Sequence, residues 1–298
     1  MRFKQKTVQF APVILSRNSI YRSLCILCIG LGFRTSATEA QTMAHKPGDQ
    51  VATLRLIAAS GQTFRSASGS ASGSFDVGVE IAMPPGSHTY WKQPGEAGVP
   101  PVFAFNGSVN VAKAEVRFPV PSRLSEDGLD AFGYTGTVVF PVVVTPTDRS
   151  KPATLKVDVA YAVCNKICIP AHGTAQLQLP AEGGEVDGEA VTTALALVPL
   201  PATEAEHDSL KVNELERTAK QSWQVAWTGT RPLEDLFVVM PEGFYFSTRK
   251  TGPNMFVLTA EQVVVSGAEA KVPVTLVLKR VGGSLSTTET LDVRAASR

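Results

Sequence analysis

Cys164 and Cys168 are the residues of this sequence best equipped for chemistry. Set three residues apart in the run Cys164-Asn165-Lys166-Ile167-Cys168, the two thiols can be oxidised to one another, hold a soft metal, or form a plain structural bridge. In an extended strand residues four apart lie about 13 Å from each other, whereas a disulfide needs Cα atoms within about 4.4–6.8 Å. The segment must therefore turn back, as a tight hairpin or one helical turn. A bridge across so short a loop removes little unfolded-chain entropy, about 2 kcal/mol against about 4.7 for a loop near 100 residues. A bridge selected for stability would join distant strands, so the spacing favours a reactive pair. Lys166 between the thiols and His172 after them could promote a thiolate through positive charge; the plainer reading is that both are solvated.

Other chemistries have less support. His45, His88, His172 and His207 are scattered and make no zinc spacing, and copper on Cys164, Cys168 and His172 is the one metal reading the residues allow. No nucleophile elbow supports Ser-His-Asp catalysis. Tyr90, Trp91, Tyr134 and Phe140 read as core or rim aromatics rather than a ligand cage.

The remaining cysteines, Cys25 and Cys28, lie in an N-terminal segment with the pattern of an export signal. Basic residues Arg2, Lys4, Lys6, Arg17 and Arg22 precede the apolar run Leu24–Phe33, and small residues follow, which predicts a signal peptide over 1–40. The run is about half the roughly 20 residues needed to span a bilayer, so the exported chain is expected to be soluble and not inserted in a membrane. A net charge of +1 gives no basis for nucleic-acid binding, and 44% hydrophobic with 18% charged residues suits a folded globular chain.

The elements that must position the pair read as short strands. Apolar alternation marks Val51–Ala59, Phe75–Met83, Ser87–Lys92, Val102–Phe105, Val109–Phe118, Thr137–Thr145, Ala153–Val163 and Thr174–Leu179, and a small, glycine-rich loop fills Ser66–Ser74. Val191, Leu195 and Val198 at helical spacing predict a short helix within Glu185–Leu200, ended by Pro199 and Pro201. Strands then resume from Ser209 to Val293. The fold class expected is all-β: two immunoglobulin-like β-sandwich domains joined by a short helical linker. The expected divisions are a signal peptide (1–40), a redox domain (41–182), a linker (183–205) and a second sandwich (206–298). A Met-Pro-x-Gly turn between strands occurs at Met83 and again at Met240, an echo between the halves.

Three blocks, His88–Pro101 (HTYWKQPGEAGVPP), Phe132–Val144 (FGYTGTVVFPVVV) and Tyr161–Pro180 (YAVCNKICIPAHGTAQLQLP), resemble the N-terminal (alpha) domain family of the thiol:disulfide interchange protein DsbD and its ScsB-like relatives. The resemblance covers roughly Phe75–Pro180. It implies a periplasmic, immunoglobulin-like protein-disulfide oxidoreductase domain that uses no cofactor. Such a domain relays electrons between a membrane-embedded donor and thioredoxin-like partners. Carried over by position, Cys168 forms mixed disulfides and Cys164 resolves them, beneath a cap loop expected within Glu126–Tyr134, with Leu129, Phe132 or Tyr134 as the capping side chain. Two departures matter: three residues separate the cysteines where the best-known members have five, and the donor is expected on a separate polypeptide. The competing readings are a non-catalytic scaffold with a structural disulfide, and the copper-handling module.

Overall fold

The computed structural model describes residues 52–58, 73–180, 185–215, 220–263 and 269–294; the expected export segment and residues 66–72 of the glycine-rich loop lie outside them. The first half forms β1 (Thr53–Ala58), β2 (Phe75–Ala82), β3 (His88–Gly95), β4 (Val102–Ala104), β5 (Val111–Val116), β6 (Ser122–Glu126), β7 (Leu129–Thr135), β8 (Thr137–Pro146), β9 (Ala153–Cys164) and β10 (Cys168–Leu179). Helix α1 (Glu185–Ala196), β11 (Leu200–Pro201) and helix α2 (Glu204–Asp208) follow. The second half is β12 (Leu210–Glu214), β13 (Ser222–Trp227), β14 (Leu233–Val239), β15 (Phe244–Gly252), β16 (Met255–Val263), β17 (Glu269–Arg280) and β18 (Gly283–Arg294). The fold is all-β with two immunoglobulin-like sandwiches.

In the first sandwich the sheet β1-β2-β8-β5 faces the sheet β10-β9-β3-β7-β6, with β4 paired to β9. Alternation decides which side chains meet between them. Val138, Phe140, Val142 and Val144 of β8 and Leu155, Val157, Val159 and Tyr161 of β9 all point inward and are buried, each at every second position. Phe140 has no exposed surface and touches Phe103, Phe118 and Tyr134 edge to face. Truncating such a ring to alanine costs about 3–5 kcal/mol. The second sandwich pairs β11-β18-β17-β14 with β12-β13-β16-β15 around Trp223, Val225, Leu258, Val274 and Leu276.

The helical connection is packed against the first sandwich. Val191 and Ala194 of α1 are buried, Val191 lies close over Gly78 of β2, and the Val120 N–H donates to Leu197 O at 2.8 Å. Helix α2, where the sequence suggested only the approach to a strand, is started by a capping box in which Thr203 and Glu206 each bond the other's backbone. The sandwiches share an apolar seam: Phe237 of β14 is fully buried against Trp91 and Phe132 of the first. The repeated Met-Pro-x-Gly turns make the same crossing between sheets, from β2 to β3 and from β14 to β15. Gly86 and Gly243 take φ +78° and +88° there, values open mainly to glycine.

Candidate functional site

The strand β9 reaches Cys164 and turns back through Asn165, Lys166 and Ile167 into β10, which starts at Cys168. Of the two bends the spacing allowed, the chain makes the hairpin. The Asn165 N–H donates to Ile167 O at 3.1 Å, Cys164 and Cys168 are ladder partners, their Cα atoms are 4.0 Å apart, and the sulfurs are bonded at 2.02 Å. Their surroundings differ sharply. Cys164 is 1% exposed and packs with Tyr90, Ala131 and Ala162. Cys168 is exposed, flanked by exposed Ile167 and Ile169.

Beneath the sulfurs lies a polar chain that the sequence did not disclose. His88 is the ladder partner of Cys164 across β3 and β9, and Tyr90, two residues on, faces the same side. Tyr90 Oη lies 2.9 Å from Cys164 Sγ, 3.3 Å from Cys168 Sγ and 3.0 Å from Glu126 Oε2. The other oxygen, Glu126 Oε1, is 2.5 Å from His88 Nε2. A hydroxyl has one proton, and a carboxylate is a far stronger acceptor than a disulfide sulfur, so with the pair oxidised Tyr90 donates to Glu126 and turns its oxygen to the sulfurs. Burial first, then the bond to Glu126 and its charge, raise the Tyr90 phenol well above its ordinary range, so it stays a proton carrier at neutral pH.

Two turns hold this arrangement. Asp127 and Gly128, both with positive φ, join β6 to β7 as a two-residue hairpin and place Glu126 at its end. Gly98, at φ +106°, lies so close to the Tyr90 ring that an added Cβ would sit 2.3 Å from Cε1. The backbone there roofs the ring.

The residues expected around the pair fall out differently. Lys166 is exposed in the turn. His172 is exposed four residues along β10, and its Nε2 lies 2.6 Å from Asp158 Oδ1; the structure couples it to that carboxylate, and the copper set Cys164, Cys168 and His172 is not assembled. Among the described residues no cluster of three or more His, Cys, Asp or Glu could hold a metal ion. The expected cap loop is the β6–β7 hairpin, and its aromatic residues face inward. Phe132 packs on Phe237, and Tyr134 packs on Phe140 and donates to Pro119 O at 2.7 Å. Strand alternation sends both to the core, while Leu129 stays exposed at the turn. The side chain that approaches the sulfurs is Tyr90 of β3, and Glu126 at the end of β6 is bonded to its hydroxyl.

Residues 55–180 match the family model for the N-terminal part of the thiol:disulfide interchange protein DsbD. With a cysteine pair at bonding distance, this segment falls in a thiol–disulfide exchange family. Among solved structures, the chain is similar to the N-terminal periplasmic domain of ScsB from Proteus mirabilis. The identity is 19%, the TM-score 0.60, and the match covers 83% of this chain and 96% of that one, a likeness of fold. The YadV chaperone, at 10% identity and TM-score 0.21 over 80% of this chain and 99% of that one, is too distant to carry an argument. No curated protein matches the chain. Among the described residues no helix is long and apolar enough to cross a membrane.

Proposed function

From the match of residues 55–180 to the DsbD N-terminal family, we propose that the chain is a periplasmic thiol:disulfide oxidoreductase that relays reducing equivalents through Cys164 and Cys168. Its partners are thioredoxin-like proteins, its electrons come from a separate membrane-embedded donor, and no cofactor takes part. In this reading residues 41–182 are the redox domain, 183–205 the linker and 206–298 a second domain. The observation that carries the proposal is the asymmetry of the disulfide: one sulfur is open to an incoming thiolate, and the other is buried against a hydroxyl able to receive it as a leaving group.

The exchange runs in two halves. A donor thiolate attacks Cys168 Sγ; the new sulfur–sulfur bond forms as the old one breaks, and its electron pair departs on Cys164 Sγ. A thiolate in that buried position needs a hydrogen bond, and Tyr90 turns its proton from Glu126 toward it. The donor's second thiolate then releases Cys168, leaving the donor oxidised and the pair reduced by two electrons, with two protons taken from solvent. In the second half Cys168 attacks an acceptor disulfide, and Cys164 attacks Cys168 Sγ, expelling the reduced acceptor and restoring the bond.

The competing reading, a structural clip, gains little support from the hairpin. Twelve consecutive residue pairs already join β9 and β10, and the bond adds closure of only a few residues. Trapping tests the proposal. Cys164→Ser is expected to accumulate a mixed disulfide with a thioredoxin-like protein and Cys168→Ser not to. Trapping by the opposite variant reverses the roles, and trapping by neither, where the native pair turns over, removes the relay.

A further inference from the structure

We propose that the cysteine-free second sandwich acts on the redox pair, through Arg123 as a positioning residue that holds Glu126 against Tyr90. The inference rests on the reading of Tyr90 and Glu126 just given. Glu126 ends β6, the edge strand of its sheet, in a hairpin of five paired residues. So short an edge hairpin is poorly fixed by its own ladder.

Arg123, three residues before Glu126, supplies the missing constraint from outside the sheet. Its Nε and Nη2 grip Asp235 of β14 at 3.2 and 2.8 Å, and Nη2 also reaches Thr248 Oγ1 of β15 at 2.8 Å. Nη1 bonds Asp130 Oδ2 at 2.5 Å and Thr248 O at 3.2 Å. All five N–H groups are engaged, and the guanidinium lies over Phe132 and Phe237. Asp130, on the returning strand, exchanges two bonds with Glu96, its carbonyl accepting from the Glu96 N–H and its own N–H donating to Glu96 Oε2, each at 2.8 Å. Glu96 begins the turn whose Gly98 roofs Tyr90. A second tie runs from β3 itself: Gln93 exchanges two bonds with the backbone of Met240. Both strands that supply the polar chain are thus clamped to the second sandwich.

The sign of the effect separates positioning from simple charge. Losing a cation near the site would, by field alone, disfavour a Cys164 thiolate and raise its titration midpoint. If Arg123 instead holds Glu126 in place, losing it lets the carboxylate leave Tyr90, frees the Tyr90 proton for Cys164, and lowers that midpoint. The other titratable groups facing the pair, His88 and Tyr90 from β3, Glu126 from β6 and Lys166 in the turn, are unchanged in every variant except those that alter Glu126.

The test is alkylation of the reduced full chain with iodoacetamide across pH, followed by trypsin, which cuts at Lys166 and puts the two cysteines on separate peptides for mass spectrometry. Arg123→Met is expected to lower the Cys164 midpoint by about one pH unit, tenfold in thiolate fraction. Combining it with Glu126→Gln should add nothing beyond Glu126→Gln alone. Thr248→Val, a neutral change in the second sandwich, should act in the same direction and covers the case that Arg123→Met fails to fold. A midpoint that rises or stays fixed in the folded variants, while Glu126→Gln lowers it, overturns the inference. The trapping experiment judges the relay independently of this result.

Discussion

Tyr90 Oη lies 2.9 Å from Cys164 Sγ, within reach of the sulfur that leaves when Cys168 is attacked. A hydrogen bond to a charged acceptor contributes about 1.5–3 kcal/mol, so Tyr90→Phe should slow reduction of the disulfide by dithiothreitol about tenfold or more. Stopped-flow measurement on the folded variant decides it, and an unchanged rate would remove Tyr90 from the mechanism.

Glu126→Gln is expected to act with the opposite sign. The carboxylate draws the Tyr90 proton away from sulfur, and a neutral amide draws it less. The Cys164 titration midpoint should therefore fall by about one unit in Glu126→Gln and rise in Tyr90→Phe. Two shifts in the same direction would contradict the shared proton.

At Gly98 the chain combines a positive φ with contact against a ring that is 1% exposed and has no room to retreat. Gly98→Ala should cost about 1–3 kcal/mol in urea unfolding. By pushing the ring, it should also reproduce the slow reduction of Tyr90→Phe. Lost stability with a native reduction rate would show that the roof does not set the hydroxyl.

Alkaline stability gives a further check. Burial raises the phenols of Tyr90, Tyr134 and Tyr161, with Glu126 adding to the effect at Tyr90. Groups raised in the fold contribute fully below their open-chain value, about pH 10, and that contribution is lost as pH rises beyond it. The unfolding free energy should fall above pH 10, less steeply in Tyr90→Phe than in the native chain. Equal slopes would mean that Tyr90 ionises as freely in the fold as outside it.

The cysteine pair was legible in the sequence because its members are neighbours along the chain and their spacing alone forces a turn. The inward rows of β8 and β9 were legible for a similar reason, since alternation is a local signal. Tyr90 and Glu126 were not. Tyr90 reaches Cys164 from 74 residues away and Glu126 reaches Tyr90 from 36, through pairings no local pattern states. Two signals were nevertheless present: His88 and Tyr90 share a strand face, and Asp127-Gly128 marks a hairpin whose last strand residue is Glu126. The same parity rule, applied to Phe132 and Tyr134, would have sent both inward and away from a capping role.

The β9–β10 ladder has a kinetic consequence. Cys164 stands opposite Cys168 at the closed end of twelve paired residues, so cutting the bond between them leaves the backbone that faces them in register. The free thiols remain side by side, and well-oriented groups of this kind react at effective molarities on the order of 10⁵–10⁸ M. In the proposed relay, a protein captured on Cys168 therefore meets a competitor that dilution cannot remove. The lifetime of such an adduct is set by the geometry of this hairpin and by the protonation of one buried sulfur, and not by the concentration of thiols in the surrounding medium.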